Sequence, residues 1–512
     1  MRKTQGFIKG AVSIAGGISK ILGGIYRIPL ARLIGDEGMA LYQMAYPIYT
    51  TILALATAGI PAAISVLVAR KESQGYTGDS YKIFQISLCI LFFFGVGLTL
   101  LVGENAYFLA DTVLNEPRAY YPILAVAPAI FLSSLMSVFR GYFQGYQSMT
   151  PTAFSQVIEQ IFRVVAVIIL ACLLLPLGLE YAVAGATFGA VIGGIIGLLV
   201  LGICYIVFSR NTKSLTLFYS KSSNFQLTKD IIRLAVPISL GACILPLVQI
   251  LDAIIVRKQL EVIGYTHLQA TMLFGQLSGK AAVLIGLPTI FTIAVATSMV
   301  PAISEAFTEK DGILLTKRLN YGFRAGAIIS FPCATGLYVM AFPICALLYG
   351  NPEAGVSLEA LAFSAITLAA FQISSAGLQG IGRPEIAMLS LLVTGFSKVV
   401  LNYTLTSIPT LNIKGAAIAT TLAFLIGALI NIFILKKITD SVFESKRIIN
   451  IMLASVIMAI LVKLLFNTLL TSDLHSYIST IIAIGAGAII YGIALLALKE
   501  INLNLFKLLR KS

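Results

Sequence analysis

Tryptophan is absent from the 512 residues, and histidine occurs only twice. Any aromatic belt at a membrane surface must therefore be built from tyrosine, as at Tyr42, Tyr46 and Tyr49 or at Tyr120 and Tyr121. Charge is scarce, at 11% of residues against 58% hydrophobic, and mean hydropathy is +0.94. A soluble chain carries roughly twice that charge, so a water-soluble fold is excluded. Long polar stretches are also missing. The longest, near 209–229, is too short for a globular catalytic domain. Cys89, Cys172, Cys204, Cys243, Cys333 and Cys345 lie in or beside apolar runs, with no zinc-type or disulfide spacing. They read as small core hydrophobes. No Walker-type glycine loop is present, which leaves ATP hydrolysis without a site.

What the chain has instead is a series of apolar segments long enough to cross a bilayer. They fall near 6–33, 41–69, 82–103, 119–140, 152–176, 181–208, 229–257, 279–303, 320–348, 357–380, 384–407, 414–437, 447–470 and 477–499. The start, MRKTQGFIKG, lacks a cleavage site after a short apolar core and is expected to be a retained first helix. Pro29, Pro61, Pro237, Pro246, Pro288 and Pro332 lie within segments and predict bends. The net charge of +14 is spread over alternate loops, which argues against nucleic acid as a partner. With a cytoplasmic N-terminus, about 25 of the 36 Lys and Arg fall inside and about five outside. Both termini are then cytoplasmic.

Four motifs recur in order at a spacing of about 235 residues. "FRGYFQGYQSMTP" around Gln144–Gly145 returns as "SAGLQGIGRP" around Gln379–Gly380, and "IFRVV" at 161–165 as "FSKVV" at 396–400. "VAGATFGAVIGG" at 183–194 returns as "IKGAAIATTLAF" at 413–424, and "GIPAAIS" at 59–65 as "MVPAIS" at 299–304. Six segments per repeat is an even number, so both repeats enter the membrane in one sense. The expected fold is an all-α integral membrane protein of about fourteen transmembrane helices. It comprises two six-helix lobes (1–208 and 229–440) joined by a cytoplasmic linker (209–228), then two further helices and a basic tail (441–512). That is a transporter architecture; no ring of repeated polar residues suggests a channel pore.

Charges inside the segments mark function, because a lipid-facing charge at mid-membrane costs at least ~2.5–3.5 kcal/mol. The basic ones are Lys20, Arg27, Arg163, Lys280, Lys398 and Lys463, and the acidic ones chiefly Glu159 and Asp252. The cationic excess suits an anionic substrate. Lys20 and Arg27, seven apart, share a helical face. Glu159 and Arg163, four apart, read as an ion pair within one helix. Arg163 and Lys398 hold equivalent repeat positions. Lys463 reads as a snorkelling residue or part of a groove. Asp252 either pairs with a cation such as Arg257 or Lys258 or forms a cation site. His267 and His475 lie in loops and receive no function.

"SKILGGIYRIPLARLIGDEGMALYQMAYPIY" at 19–49, "GIPAAISVLVAR" at 59–70 and "RGYFQGYQSMTPTAFSQVIEQIFRVV" at 140–165 carry a family resemblance. The chain resembles the oligosaccharide-lipid branch of the multidrug/oligosaccharidyl-lipid/polysaccharide exporter superfamily, the branch of stage V sporulation B and MurJ-type lipid II flippases of Gram-positive bacteria. The resemblance implies a flippase without covalent chemistry in the bacterial cell membrane. Its substrate would be an undecaprenyl-pyrophosphate-linked saccharide of peptidoglycan, spore cortex, teichoic acid or capsule. It implies a cationic cavity at Lys20, Arg27 and Lys280 and a lipid-tail groove on the last two helices; Arg163 and Lys398, from their equivalent repeat positions, are expected as further cavity cations. It implies an ion site for Na+ or H+ coupling at Asp252, Asn402, Thr406 and Thr420, although Thr406 stands where such relatives carry a second carboxylate. The second segment has no arginine between Tyr42 and Ala69, where related peptidoglycan flippases carry one. Implied partners are membrane lipids, the lipid-linked oligosaccharide and cell-wall polymerases, with the chain itself a monomer.

Two alternatives stand beside this reading. One is an ion-coupled multidrug exporter, which the cation excess disfavours. The other is a membrane-embedded glycosyltransferase or polymerase, for which outer loops of about twenty residues near 258–278 and 104–118 are too short. Replacing Arg27 by Ala should reduce exposure of the substrate head group at the outer leaflet, read by a membrane-impermeant reagent. Unchanged exposure would remove Arg27 from the mechanism.

Overall fold

The computed structural model describes residues 22–212, 218–220, 223–439, 444–471 and 475–500, and all secondary structure among them is helical. By backbone contacts the chain forms two compact units, Met1–Ile254 and Ile255–Ser512. The boundary falls downstream of the polar stretch at 209–228.

The main helices of the first unit are α1 (Arg27–Thr57), α2 (Ile60–Ser73), α3 (Thr77–Glu104), α4 (Pro128–Gly145), α5 (Thr150–Leu174), α6 (Leu179–Thr212) and most of α7 (Asn224–Val262). The second unit holds α8 (Ala282–Thr308), α9 (Gly312–Val339), α10 (Ser364–Gly380), α11 (Pro384–Thr406), α12 (Ile413–Thr439), α13 (Ser445–Leu470) and α14 (Ser476–Ala497). Among the described residues, eleven helical runs are long and apolar enough to cross a membrane, or up to thirteen when two sharply bent pairs are each counted as one span. Leu22–Ser73 counts as one run but contains the ends of the first expected segment and all of the second. Outward-facing side chains such as Phe93, Phe396 and Phe433 are 70%, 72% and 69% exposed, while serines, threonines and charges are buried between helices. A helix that is apolar on its outer face needs lipid around it. The chain is a multi-pass membrane protein.

Several boundaries differ from those expected. The sequence suggests a loop at 34–40, yet the helix continues, broken only at Gly35, whose φ of 69° and ψ of −168° suit a residue without Cβ. Pro29 lies three residues after the turn at Tyr26 that separates residues 22–25 from α1, the kind of break its ring and missing N–H favour. The expected second helix divides at Ala58–Gly59, and Pro61 opens α2 rather than bending it. The segment at 320–348 is two helices, Gly312–Val339 and Ala341–Tyr349, bent by 83°. The outer loop expected at 258–278 is largely helix. Thr266 and Gln269 form a reciprocal capping box that starts His267–Phe274, followed by a π-helical turn, Gly275–Ala281.

Close helix packing in both units relies on glycine. In the first, Gly185, Gly189, Gly193 and Gly197 of α6 face α5. A Cβ on Gly193 would lie 2.9 Å from both Glu159 O and Arg163 Cβ. Gly141 and Gly145 seat α4 on α2: Cβ atoms there would lie 2.8 Å from Pro61 Cα and 2.6 Å from Val68 Cβ. In the second unit, a Cβ on Gly380 of α10 would lie 2.7 Å from Ile303 Cβ of α8. The repeated Gln-Gly and Pro-Ala motifs thus meet each other within each unit.

Two polar clasps tie the first unit's helix ends. Asp79, fully buried at the start of α3, accepts from Lys71 Nζ at 2.7 Å and pairs with the Ser220 hydroxyl, and Gly78 N donates to Phe218 O at 2.8 Å. Tyr146 donates to Glu72 Oε1 at 2.7 Å. Burial, and then its contact with Tyr142, pushes the Tyr146 hydroxyl well above its ordinary range, so it stays a donor at physiological pH. In the second unit, Arg324 Nε of α9 lies 3.0 Å from Glu500 Oε2, and Asn450 of α13 donates to Glu500 Oε1 at 3.1 Å.

The glycine face predicts a graded response. Gly193→Leu should lower the apparent stability of the purified protein by roughly 1–3 kcal/mol, the usual range for overpacking. Gly202→Leu on the same helix meets nothing within 4 Å and should leave the melting profile nearly unchanged. Equal loss from both would mean that this face does not set the α5–α6 distance.

Candidate functional site

The first unit contains a polar cavity of about 360 Å³ between α1, the start of α2, α4 and α5. Its charged lining is Arg140, Glu159 and Arg163, and its aromatic wall is Tyr46 and Tyr49. Glu159 of α5 is buried, with 8% of its surface exposed. Its Oε1 accepts from Arg163 Nη2 at 2.6 Å, one turn along the same helix. Its Oε2 accepts from Arg140 Nη2 of α4 at 2.7 Å. The cluster therefore carries two cations and one anion. Weaker contacts place Arg140 Nη2 3.5 Å from Ser155 Oγ and 3.9 Å from Met136 Sδ.

The Nε atoms of Arg140, Arg163 and Arg27 are buried and find no hydrogen-bond partner among the described residues. A guanidinium presents five N–H donors, so each arginine keeps donor capacity in reserve. Arg27 sits at the start of α1 with its Cζ 5.5 Å from the Tyr46 ring centre. Tyr42 stacks on Tyr46 at 5.6 Å and shares a 2.8 Å hydrogen bond with Tyr26. Tyr49 shares a 3.3 Å hydrogen bond with Ser133. The tyrosines thus line up along one side of α1, between Arg27 and the Arg140–Arg163 pair. Such a chamber suits an anionic group: the uncompensated charge is positive, and its donors are guanidinium groups, which match phosphate oxygens in pairs.

Of the residues singled out in the sequence, Glu159 and Arg163 come together here, and Arg27 reaches the cavity wall only through Tyr46. Lys20 lies outside the described residues. Lys280 belongs to the second unit, 1% exposed in the π-helical turn, with Nζ 5.4 Å from the Tyr349 ring centre. Tyr349 donates to the Lys280 carbonyl at 3.1 Å. Lys398 is half-buried on α11. Asp252, half-buried on α7, belongs to the first unit, whereas Asn402, Thr406 and Thr420 belong to the second. Thr406 is fully buried, with no hydrogen-bond partner for its hydroxyl among the described residues, while Thr420 donates to Ala416 O at 3.0 Å. The second unit thus offers that ion site only uncharged oxygens. No cluster of three metal-ligating side chains occurs among the described residues.

Two corrections follow. Glu159 and Arg163 are not a self-contained neutral pair, because Arg140 shares the carboxylate. Arg140 itself belongs to the site, although its place near the end of an apolar segment suggests a loop charge. Its partner is nineteen residues away on another helix, beyond the reach of a single-helix spacing rule.

Helical membrane spans, with a buried arginine-lined chamber inside the first unit, are the architecture of a membrane transporter. A family model described as polysaccharide biosynthesis protein matches residues 9–307, more than half of the chain, and the chain belongs to that family. Stage V sporulation protein B of Bacillus subtilis (strain 168) is 30% identical over 419 residues, spanning 81% of this chain and 80% of that protein. Lipid II flippase MurJ of the same organism is 29% identical over 502 residues, 93% of this chain and 92% of the relative. Among solved structures, lipid II flippase MurJ in an inward closed conformation aligns with a TM-score of 0.70 at 17% identity, covering 94% of this chain and 97% of that one. An inward-facing multidrug resistance MATE family transporter of the MOP superfamily aligns with a TM-score of 0.69 at 18% identity, covering 82% and 94%. These likenesses share the fold.

The shared carboxylate predicts an asymmetry. Glu159→Ala strands two cations, whereas Arg140→Ala leaves Glu159 with Arg163. Breaking a buried pair costs up to about 3–5 kcal/mol, and the loss should be larger for Glu159→Ala. Thermal unfolding of both variants in nanodiscs checks this; a larger loss from Arg140→Ala would contradict the bridging geometry.

Proposed function

We propose that the protein is a flippase for a polyprenyl-diphosphate-linked saccharide, moving it from the inner to the outer leaflet of the bacterial cell membrane by alternating access. The observation that carries this reading is the net-positive polar chamber, built from Arg140, Arg163 and Glu159, inside helices whose outer faces are apolar. The family assignment supports it, as do relatives named for sporulation and for lipid II flipping over most of both chains. Lipid II or a related cell-wall precursor is the substrate we favour.

The chemistry required is physical rather than covalent. A diphosphate cannot cross hydrocarbon unaided, because burial of an unpaired charge is prohibitive. Arginine donors replace its water shell, the saccharide travels in the wet chamber, and the polyprenyl chain stays in lipid. The membrane potential supplies direction: a net charge moved through the full field is worth ~2.3 kcal/mol per 100 mV. A cation-rich empty chamber is drawn toward a negative interior, and a bound anion cancels that pull. The same positive excess disfavours export of cationic drugs.

Reconstituted vesicles carrying a labelled lipid-linked saccharide test the reading. An imposed potential, negative on the cytoplasmic side, should accelerate appearance of the head group outside. The double variant Arg140→Gln, Arg163→Gln should abolish that gain and most of the basal rate. Full flipping by the double variant would end the proposal.

A further inference from the structure

Two guanidinium groups converge on the two oxygens of one carboxylate, at 2.6 and 2.7 Å. That is how a protein coordinates an anionic ligand, here supplied by its own chain. Three further observations separate Glu159 from an ordinary structural carboxylate. It faces a cavity of about 360 Å³, within the size range of small-molecule sites. Both arginines retain a buried Nε without a partner among the described residues, so neither is saturated by the carboxylate. And α6 covers the glutamate arm with Gly197: a Cβ there would lie 2.9 Å from Met136 Sδ, 3.2 Å from Glu159 Cβ and 3.4 Å from Cγ, so no side chain on that helix pins the carboxylate.

We propose that Glu159 is an internal stand-in for the ligand anion. In the unloaded chamber it occupies the place between Arg140 and Arg163. A diphosphate entering the chamber takes over both arginines, and Glu159 turns aside within the cavity it lines. This rests on the reading of the chamber as a diphosphate site. Loading and release then become exchanges of one anion for another. The arginines never stand bare in the membrane, and the returning carboxylate helps expel the ligand. Glu159 is thus a positioning and release residue, while Arg140 and Arg163 make the ligand contacts.

The probe is inorganic pyrophosphate, titrated into the purified full-length protein in nanodiscs by calorimetry and by thermal shift. Removing the competing charge in Glu159→Gln should tighten pyrophosphate binding about tenfold or more, while slowing flipping of the lipid-linked substrate. Pyrophosphate should also restore the stability that this variant loses. Because the variant could fail to fold, infrared difference spectra of the wild-type protein give a second measure. Adding pyrophosphate should shift a carboxylate band, and Arg163→Gln should remove that shift. Two results overturn the inference while leaving the chamber's function intact: equal or weaker binding in Glu159→Gln when the wild-type protein binds, or binding with no carboxylate shift. Absence of pyrophosphate binding in every variant, together with normal flipping by Arg140→Gln and Arg163→Gln, removes the diphosphate site and this inference with it.

Discussion

One carboxylate shared between two helices allows three charged side chains to lie inside an apolar bundle. Without Glu159, Arg140 and Arg163 would face each other across α4 and α5 with nothing between them. The shared bond also fixes the distance between those helices at the chamber wall. It depends in turn on α6, whose glycines let α5 approach closely enough for Glu159 and Arg163 to be covered from behind. Backbone contact, side-chain charge and chamber shape are therefore one coupled arrangement.

The stretch Arg140–Tyr146 shows how densely such an arrangement can be written. Arg140 supplies a charge to the chamber, and Gly141 and Gly145 bring α4 against α2. Tyr142 packs its ring 4.8 Å from Phe84 and 5.0 Å from Tyr146, which anchors Glu72. Chemistry lies on one side of the helix and packing on the other. In the second unit the corresponding glycine, Gly380, keeps the packing role against Ile303. The arginine has no counterpart there: Ser375, at the period of 235 residues, accepts a hydrogen bond from Asn431.

Hydropathy alone reveals the helices, because an apolar run of twenty residues has few alternatives to crossing a bilayer. The fine structure is less legible. Gly35 breaks a helix without ending it, and the bend at Met340 falls just before Pro343, whose ring and missing N–H break the bond to the Val339 carbonyl, a proline the hydropathy pattern does not single out. The capping box at Thr266 and Gln269 was present in the residues, but it is masked by the polar look of a loop. Within the site, Glu159 and Arg163 could be paired from their spacing, and Arg27, beside its tyrosine wall, singled out as a charge inside an apolar segment. Arg140 could not, since its partner is set by how α4 and α5 lie together, a property of three dimensions rather than of sequence separation.

The clasp around Asp79 has a bearing on how the protein is made. It joins the start of α3 to residues 141 positions further along, and Gly59 N donates to Ser239 Oγ across 180. Both contacts are non-local, and loop closure over such separations is slow. During synthesis, Asp79 and Lys71 lack their Ser220 partner, and Gly59 its Ser239 partner, until the ribosome has delivered the linker and the following helix. Insertion and folding of this half are therefore separate events in time, and the interval between them is set by translation.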